Sequence, residues 1–187
     1  MTGAEVFRRM IAALDAAAIP HMLTGSFASG YHGAPRASQD IDLVIAPSEA
    51  QIRRFVTELP PSEYYVDLDA AVDAVRRRSQ FNVVDMATGW KIDLIVQKAR
   101  HFSQEEFARR VPVDFHGVRL FVATAEDVVI AKLEWAKLGQ SHRQVEDVAA
   151  LIQVRERLDR PYVDKWIKAL GLEDEWRAAL ALAKPAE

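Results

Sequence analysis

Three aspartates and one Gly-Ser pair are the residues of this 187-residue chain whose types and spacing suggest chemistry. Asp40 and Asp42 alternate with apolar residues, which predicts a strand that turns both carboxylates to one face. Asp93 lies in a second segment of the same pattern. If the two strands are neighbours, three carboxylates meet, and their mutual repulsion favours a bound divalent cation. The pattern therefore predicts a Mg²⁺ or Mn²⁺ site suited to two-metal phosphoryl transfer.

Gly25 precedes, and Ser26 begins, a helix predicted over residues 26–32. Glycine lets the backbone approach a phosphate closely, and the start of a helix offers free N–H groups and a positive dipole end. Taken alone, the pair also suits an ordinary turn, and Asp40 and Asp42 also suit solvated positions at the end of a strand. Their joint occurrence with Asp93 favours a site that holds a metal-bound triphosphate.

Three further charged residues are candidates for nucleotide binding. Arg36, in the loop before the aspartates, could contact phosphate bidentately or form a structural ion pair. Lys132 lies near the apolar stripe of a predicted helix, where a triphosphate or a facing carboxylate such as Asp147 would satisfy it. A lysine whose stem covers apolar surface is the alternative. Asp147 lies one turn from Arg143, so a pair on the helix surface is its own alternative.

The wider pattern resembles the polymerase-beta-like nucleotidyltransferase superfamily. Gly25-Ser26, thirteen residues and then Asp40-Ile-Asp42-Leu are similar to its defining motif, and Asp93 falls where that superfamily has its third carboxylate. The match spans about residues 20 to 152. Within the superfamily, the chain resembles the branch of AbiEii-type and related toxin-antitoxin nucleotidyltransferases. That similarity includes the residues Gly33-Ala-Pro-Arg36, Glu126-Asp127, Lys132, Arg143 and Glu146-Asp147.

The resemblance implies a metal-dependent enzyme that transfers a nucleoside monophosphate from an NTP to a hydroxyl acceptor. In that role Asp40 and Asp42 hold the metals, Asp93 helps to activate the acceptor, and the Gly-Ser pair with Lys132 holds the triphosphate. The toxin-antitoxin branch implies a tRNA end or a protein side chain as the acceptor, a toxin-antitoxin or phage-defence setting and an antitoxin partner. A non-catalytic nucleotide-binding or toxin-partner protein with the same fold is the alternative, and a purely structural domain is a third.

The order of the predicted elements indicates an α/β (α+β) fold with a mixed sheet flanked by helices and a C-terminal helical bundle. We expect residues 1–123 to form the nucleotidyltransferase core and residues 124–187 to form a helical subdomain packed on it. Ser103, followed three residues later by Glu106, predicts a capped helix start. A hairpin is predicted about His116-Gly117, and a helix is predicted from about Ser141 to Glu156.

Composition limits the class of protein further. The chain has no cysteine, which excludes disulfides and thiolate zinc sites. A net charge of -3 argues against a globally basic nucleic-acid binder and leaves a local basic patch open. No uncharged apolar run of about 18 residues and no secretory signal pattern occur. We therefore expect a cytoplasmic protein without a membrane partner.

Overall fold

The computed structural model describes residues 3–115, 117–155 and 157–183. Within these residues, one mixed sheet contains the strands β1 (His21–Leu23), β2 (Asp40–Ile45), β3 (Tyr64–Tyr65), β4 (Gln80–Asp85), β5 (Lys91–Val96), β6 (Val111–Phe115) and β7 (Val118–Val122). The strand order is β3-β4-β5-β2-β1-β7-β6. The strands that carry the candidate aspartates, β2 and β5, are thus adjacent near the centre of the sheet.

In the described part of the chain, five helices alternate with these strands and four follow them. They are α1 (Gly3–Ala16), α2 (Gly25–Tyr31), α3 (Glu49–Glu58), α4 (Leu68–Arg77), α5 (His101–Arg109), α6 (Ala125–Gly139), α7 (His142–Val154), α8 (Arg160–Leu170) and α9 (Glu173–Ala183). This arrangement confirms the predicted fold class, a mixed sheet with helices and a helical C-terminal part.

The strand register brings the charged residues of β2 and β5 side by side. The two strands pair in parallel, with Asp40 opposite Lys91 and Asp42 opposite Asp93. On β2 the intervening Ile41 and Leu43 are fully buried. The period-two alternation therefore separates an apolar face in the core from a polar face that carries the carboxylates.

Local sequence signals account for several of the element ends. Ser48 caps α3 through a complete capping box with Gln51, and the side chain of Thr124 accepts a hydrogen bond from the backbone of Asp127 at the start of α6. Gly89 adopts a left-handed conformation in the hairpin between β4 and β5. The β6–β7 hairpin also forms, although His116 of its predicted turn lies outside the described residues. The described part of α7 ends at Val154, and Glu156 also lies outside the described residues.

The predicted start of α5 at Ser103 is wrong. The helix begins two residues earlier, at His101, and its N-cap residue Arg100 makes no side-chain capping bond. Ser103 is buried, and its hydroxyl accepts a hydrogen bond from Arg100 Nε at 3.0 Å. Glu106 is also buried instead of reaching back to the helix start. Phe102, in the first turn of α5, is only 1% exposed. Packing of this side chain in the core therefore overrides the capping signal at Ser103.

Apolar residues of the sheet and of the C-terminal helices belong to one hydrophobic cluster. Ile41 and Leu94 from the strands join Val128, Leu133 and Val148 from α6 and α7 in that cluster. The division at residues 123 and 124 into a core and a packed helical subdomain remains a prediction. Within the described ranges, no helix combines the length and the apolar composition that crossing a bilayer requires.

Candidate active site

The turn from β1 into α2 places a glycine backbone directly against the carboxylate of Asp42. Gly25 has a φ of +63°, and a Cβ added there would lie 2.0 Å from Asp42 Oδ2. The Thr24 backbone N–H donates to the Asp42 carbonyl at 3.0 Å, and the Ser26 backbone N–H donates to the Asp42 side chain. A left-handed conformation and a close approach both require glycine at this position. The Gly-Ser turn and the Asp-x-Asp strand therefore form one site.

Asp42 carries an unfavourable negative charge in this setting. Burial, followed by the neighbouring charge of Asp93, raises the pKa of Asp42 to about 6. Asp40 adds to this repulsion from an exposed position at the start of β2, and Lys132 opposes it. A carboxylate that is desolvated beside like charges is stabilised by any cation that approaches it. A cation that binds at Asp42 would therefore stabilise a carboxylate whose negative charge is otherwise unfavourable.

Asp93 has a cationic neighbour on its own strand. Lys91 Nζ donates to Asp93 Oδ2 at 2.9 Å and lies 2.9 Å from Oδ1. The Oδ1 atom is buried and accepts no hydrogen bond from the described part of the chain. The hydrogen bond to Asp93 raises the pKa of Lys91, so this ammonium stays charged.

A divalent ion fits part of this carboxylate set. Among residues 3–115, 117–155 and 157–183, no three His, Cys, Asp or Glu side chains are grouped closely enough to hold a metal ion. Asp40 and Asp42 nevertheless lie on one strand face, and the raised pKa of Asp42 marks charge that the protein does not neutralise. Oxygen ligands of this type suit Mg²⁺ or Mn²⁺. The metal-binding roles of Asp40, Asp42 and Asp93 remain predictions.

Lys132, Asp147 and Arg36 form an ion-pair network next to the carboxylates. Lys132 is only 3% exposed, and its ammonium donates to Asp147 Oδ2 at 2.7 Å and to Gln144 Oε1 at 3.2 Å. Arg36 Nε donates to the same Asp147 oxygen at 2.9 Å. Burial lowers the pKa of Lys132, and the hydrogen bond from Lys132 to Asp147 opposes that shift.

This network decides between the alternatives that the sequence leaves open for these side chains. Lys132 faces a carboxylate and does not extend its ammonium into solvent. Arg36 forms an ion pair, and the ionic partners of Asp147 are these two cations, on other elements, and not Arg143 one turn away. Whether nucleotide phosphate also binds Arg36 and Lys132 remains a prediction.

A cavity of about 820 Å³ joins most of the predicted site residues. Asp40 and Asp147 are not among the residues that line it. The predicted residues that line one part of the cavity are Gly25, Ser26, Arg36, Asp42, Asp93 and Lys132. This part is called the aspartate end below.

The same cavity has other lining residues that the sequence analysis missed, and this second group is called the far end below. It includes Arg78, Lys98, Arg100, Glu106, Glu134, Trp135 and Lys137. Both terminal nitrogens of Arg100 donate to the Glu134 carboxylate, from Nη2 at 2.5 Å. Burial, followed by the nearby charges of Asp127 and Glu134, raises the pKa of Glu106 to about 8. No sequence signal groups these residues, because they come from several separate elements.

Asp127, which the family resemblance includes, has a structural environment instead. It is fully buried and is absent from the cavity lining. Its carboxylate accepts hydrogen bonds from the Thr124 hydroxyl and the Tyr162 hydroxyl, each at 2.6 Å, and from Arg109 at 3.3 Å. These contacts join α6 to α5 and α8, so Asp127 stabilises the helices behind the cavity.

The architecture is a nucleotidyltransferase fold. The structure of the antibiotic-resistance factor ANT(2'')-Ia matches 95% of this chain and 89% of that chain, with a TM-score of 0.56 and 14% identity. The lincomycin-bound lincosamide antibiotic adenylyltransferase LnuA matches 83% of this chain and 99% of that chain, with a TM-score of 0.56 and 10% identity. An antigenic nucleotidyltransferase-like protein from Paracoccidioides brasiliensis has a TM-score of 0.55 at 15% identity, covering 96% of this chain and 92% of that chain.

At 10 to 15% identity these similarities show the fold alone, and they do not identify the AbiEii-type branch. No protein-family model matches the chain, and no curated protein matches it in sequence. Function therefore has to be argued from the residues of the site.

Proposed function

We propose that this protein is a metal-dependent nucleotidyltransferase that transfers a nucleoside monophosphate from an NTP to a hydroxyl acceptor. The observation that carries the proposal is the close approach of the Gly25 backbone to Asp42, within a cavity that Asp93 and Lys132 also line. The nucleotidyltransferase fold of the chain supports the same activity.

Each predicted residue has a role in this reaction. Asp40 and Asp42 would hold a divalent ion, which supplies Lewis-acid stabilisation of the triphosphate charge. Lys132 and Arg36 would bind phosphate oxygens, with Asp147 orienting both cations in the absence of nucleotide. The acceptor oxygen forms a bond to the α-phosphorus, and the bond from that phosphorus to pyrophosphate breaks. The hydroxyl proton is lost toward a base, and Asp93 is the carboxylate that we assign to orient and activate this hydroxyl.

The number of metal ions is a separate question. The two-ion form of phosphoryl transfer requires Asp93 as a metal ligand beside Asp42. Asp93 is the carboxylate that Lys91 already contacts. The chemistry of NMP transfer is the same for one ion or two, because the acceptor oxygen attacks the same phosphorus.

The charge of the cavity favours an RNA end as the acceptor over a protein side chain. At the far end, Glu134 is neutralised by Arg100, and the raised pKa of Glu106 reduces its negative charge near pH 7. Three cations remain there, on Arg78, Lys98 and Lys137. Such a surface attracts a phosphate backbone, although the whole chain has a charge of -3.

Trp135 adds a second feature that suits RNA. Its side chain lines the same cavity and is 47% exposed, which leaves a ring face available for stacking on a base. We therefore include a tRNA end as the acceptor in the proposal. A toxin-antitoxin or phage-defence role, an antitoxin partner and a cytoplasmic location rest on the family resemblance and composition, and they remain part of the proposal only.

A transfer assay tests the proposed function. The protein is incubated with each α-labelled NTP, Mg²⁺ or Mn²⁺, and either total tRNA or tobramycin, the aminoglycoside whose adenylylated form binds ANT(2'')-Ia. We expect label on tRNA in preference to tobramycin. Asp42→Asn should lower the rate by about 100-fold or more, because it removes charge that stabilises the transition state.

Asp69→Asn is the matched control, since Asp69 is an exposed residue of α4 outside the cavity. Its transfer rate should equal that of the unmodified protein. Nucleotide binding without transfer to any acceptor would contradict the enzymatic proposal in favour of a nucleotide-binding partner protein. The absence of both binding and transfer would leave a structural domain.

A further inference from the structure

Four charged residues lie together on the polar face of β2 and β5. The parallel register sets Asp40 beside Lys91 and Asp42 beside Asp93. Lys91 and Asp93 are two residues apart on one strand, so their side chains leave the sheet on the same side. The arrangement thus contains three carboxylates and one ammonium.

The ammonium of Lys91 contacts the carboxylate oxygens of Asp93, which are the atoms through which Asp93 would bind a metal. Its Nζ lies 2.9 Å from each of the two carboxylate oxygens of Asp93. The charges of Asp40 and Asp42 also act on this ammonium. The lysine side chain is 40% exposed and that of Asp93 is 14% exposed, so the contact is partly buried.

A second divalent ion on Asp93 would have to displace this ammonium or lie close beside it. Two cations held this close repel each other, and the repulsion is stronger near protein than in bulk water. Asp40 and Asp42 have no lysine or arginine ion-pair partner among the described residues, and they are therefore free to bind an ion.

We propose that the Lys91 ammonium takes the place of a second divalent cation beside Asp93, so that the site binds a single divalent ion, through Asp40 and Asp42. This inference rests on the proposed function, because it concerns the same metal site. The ion binds on the side of Asp40 and Asp42. Lys91 is a positioning residue, which holds the Asp93 carboxylate in place for the acceptor hydroxyl.

A site with two aspartate ligands agrees with the finding that the described residues contain no group of three His, Cys, Asp or Glu side chains that could hold a metal ion. Asp93 is engaged by a side chain of its own strand, and only the two aspartates of β2 remain as uncommitted ligands. The one-ion site replaces the two-ion site that the three aspartates predict from sequence.

Mn²⁺ titration of the purified protein, followed by the electron paramagnetic resonance signal of free Mn²⁺, tests the inference without an activity assay. We expect one Mn²⁺ per chain for the unmodified protein and two for Lys91→Met. Lys91→Arg should restore one ion, because arginine keeps a positive charge that can contact Asp93. Lys98→Met is the matched control, since Lys98 lines the same cavity at its far end, and it should also bind one ion.

Melting temperatures provide a second measurement for the same variants. In EDTA, Lys91→Met should melt at a lower temperature than the unmodified protein, because Asp93 loses its counterion. Addition of Mn²⁺ should then raise the melting temperature of Lys91→Met by more than it raises that of the unmodified protein. If Lys91→Met fails to fold, Lys91→Gln and the stoichiometry of the unmodified protein still decide the question.

Two ions bound by the unmodified protein, with no change in Lys91→Met, would overturn the inference and leave the proposed function intact. No Mn²⁺ bound by any of these proteins would overturn the inference and contradict the metal-dependent function as well. The two failures are therefore distinguishable.

Discussion

At the scale of single residues, the environment of Asp42 links the fold to the chemistry. Its carboxylate is held by the backbone of the Gly-Ser turn on one side and faces Asp93 on the neighbouring strand. Burial raises the pKa of the Asp42 carboxyl group to about 6, so its negative charge is unfavourable in this environment. Such a group costs stability in the metal-free protein and is stabilised when a cation binds, which is typical of functional carboxylates.

Glu106 provides a test of the far end of the cavity at this scale. Burial raises its pKa from 4.5 to about 8. The folded protein then keeps a proton that the unfolded chain releases above about pH 4.5, so the free energy of unfolding falls as the pH rises from about 4.5 to about 8. Glu106→Gln removes this titration. The free energy of unfolding of Glu106→Gln, minus that of the unmodified protein, should increase by about 1 to 4 kcal/mol between about pH 4.5 and about pH 8. Above this range the difference should remain constant.

Urea unfolding of both proteins at several pH values from 5 to 9 measures this difference. A difference in the free energy of unfolding that stays constant over the whole range would contradict the buried, protonated state of Glu106. The sequence did not predict this residue as buried, because Ser103 and Glu106 together fit the pattern of a capping box.

At the scale of elements, the ion-pair network of Asp147 connects α7 to α6 and to the loop before β2. Asp147 is 11% exposed and accepts from both Lys132 and Arg36. Asp147→Ala leaves these two cations facing each other without a counterion, one of them buried. We expect a loss of about 3 kcal/mol in the free energy of unfolding, measured by chemical denaturation.

Asp174→Ala is the matched control for this prediction. Asp174 is paired with Arg177 on the surface of α9 and is 87% exposed, so its loss should change stability by less than about 0.5 kcal/mol. Equal effects of the two substitutions would show that the Asp147 network is not a buried, coupled unit.

The elements that carry the aspartates were predictable from the chain because their pattern is local. Alternation predicted β2 and β5, and with them the shared face of Asp40 and Asp42. The parallel pairing of these strands, with Asp42 opposite Asp93, depends on contacts between distant segments and entered the prediction only as a condition. The partners of Asp147 illustrate the limit, since a local pair with Arg143 and a distant pair with Lys132 fit the sequence equally well.

At the scale of the whole molecule, the cavity is lined by two groups of residues, one that was predicted from the sequence and one that only the fold brings together. The aspartate end depends on a compact motif, and its residues were predicted. The far end combines Arg78 after α4, Lys98 after β5 and Trp135 on α6, which share no sequence pattern. The predicted chemistry was therefore more specific than the predicted acceptor, and the preference for RNA that we propose depends on the charge of the far end.

The fold itself is shared at very low sequence identity. Nucleotidyltransferase structures match most of this chain at 10 to 15% identity. A fold shared at this identity does not fix the function, which depends on the particular residues of the site. The antibiotic acceptors of these neighbours consequently do not determine the acceptor here.

The position of a transferred label tests the central proposal most directly. Parallel reactions contain NTP labelled at either the α- or the γ-phosphate, a divalent metal and tRNA. The account predicts that α-label becomes acid-stable on the acceptor in a one-to-one ratio with released pyrophosphate, and that γ-label appears only in pyrophosphate. Transfer of γ-label to the acceptor, or release of inorganic phosphate without any labelled acceptor, would contradict nucleotidyl transfer at this site.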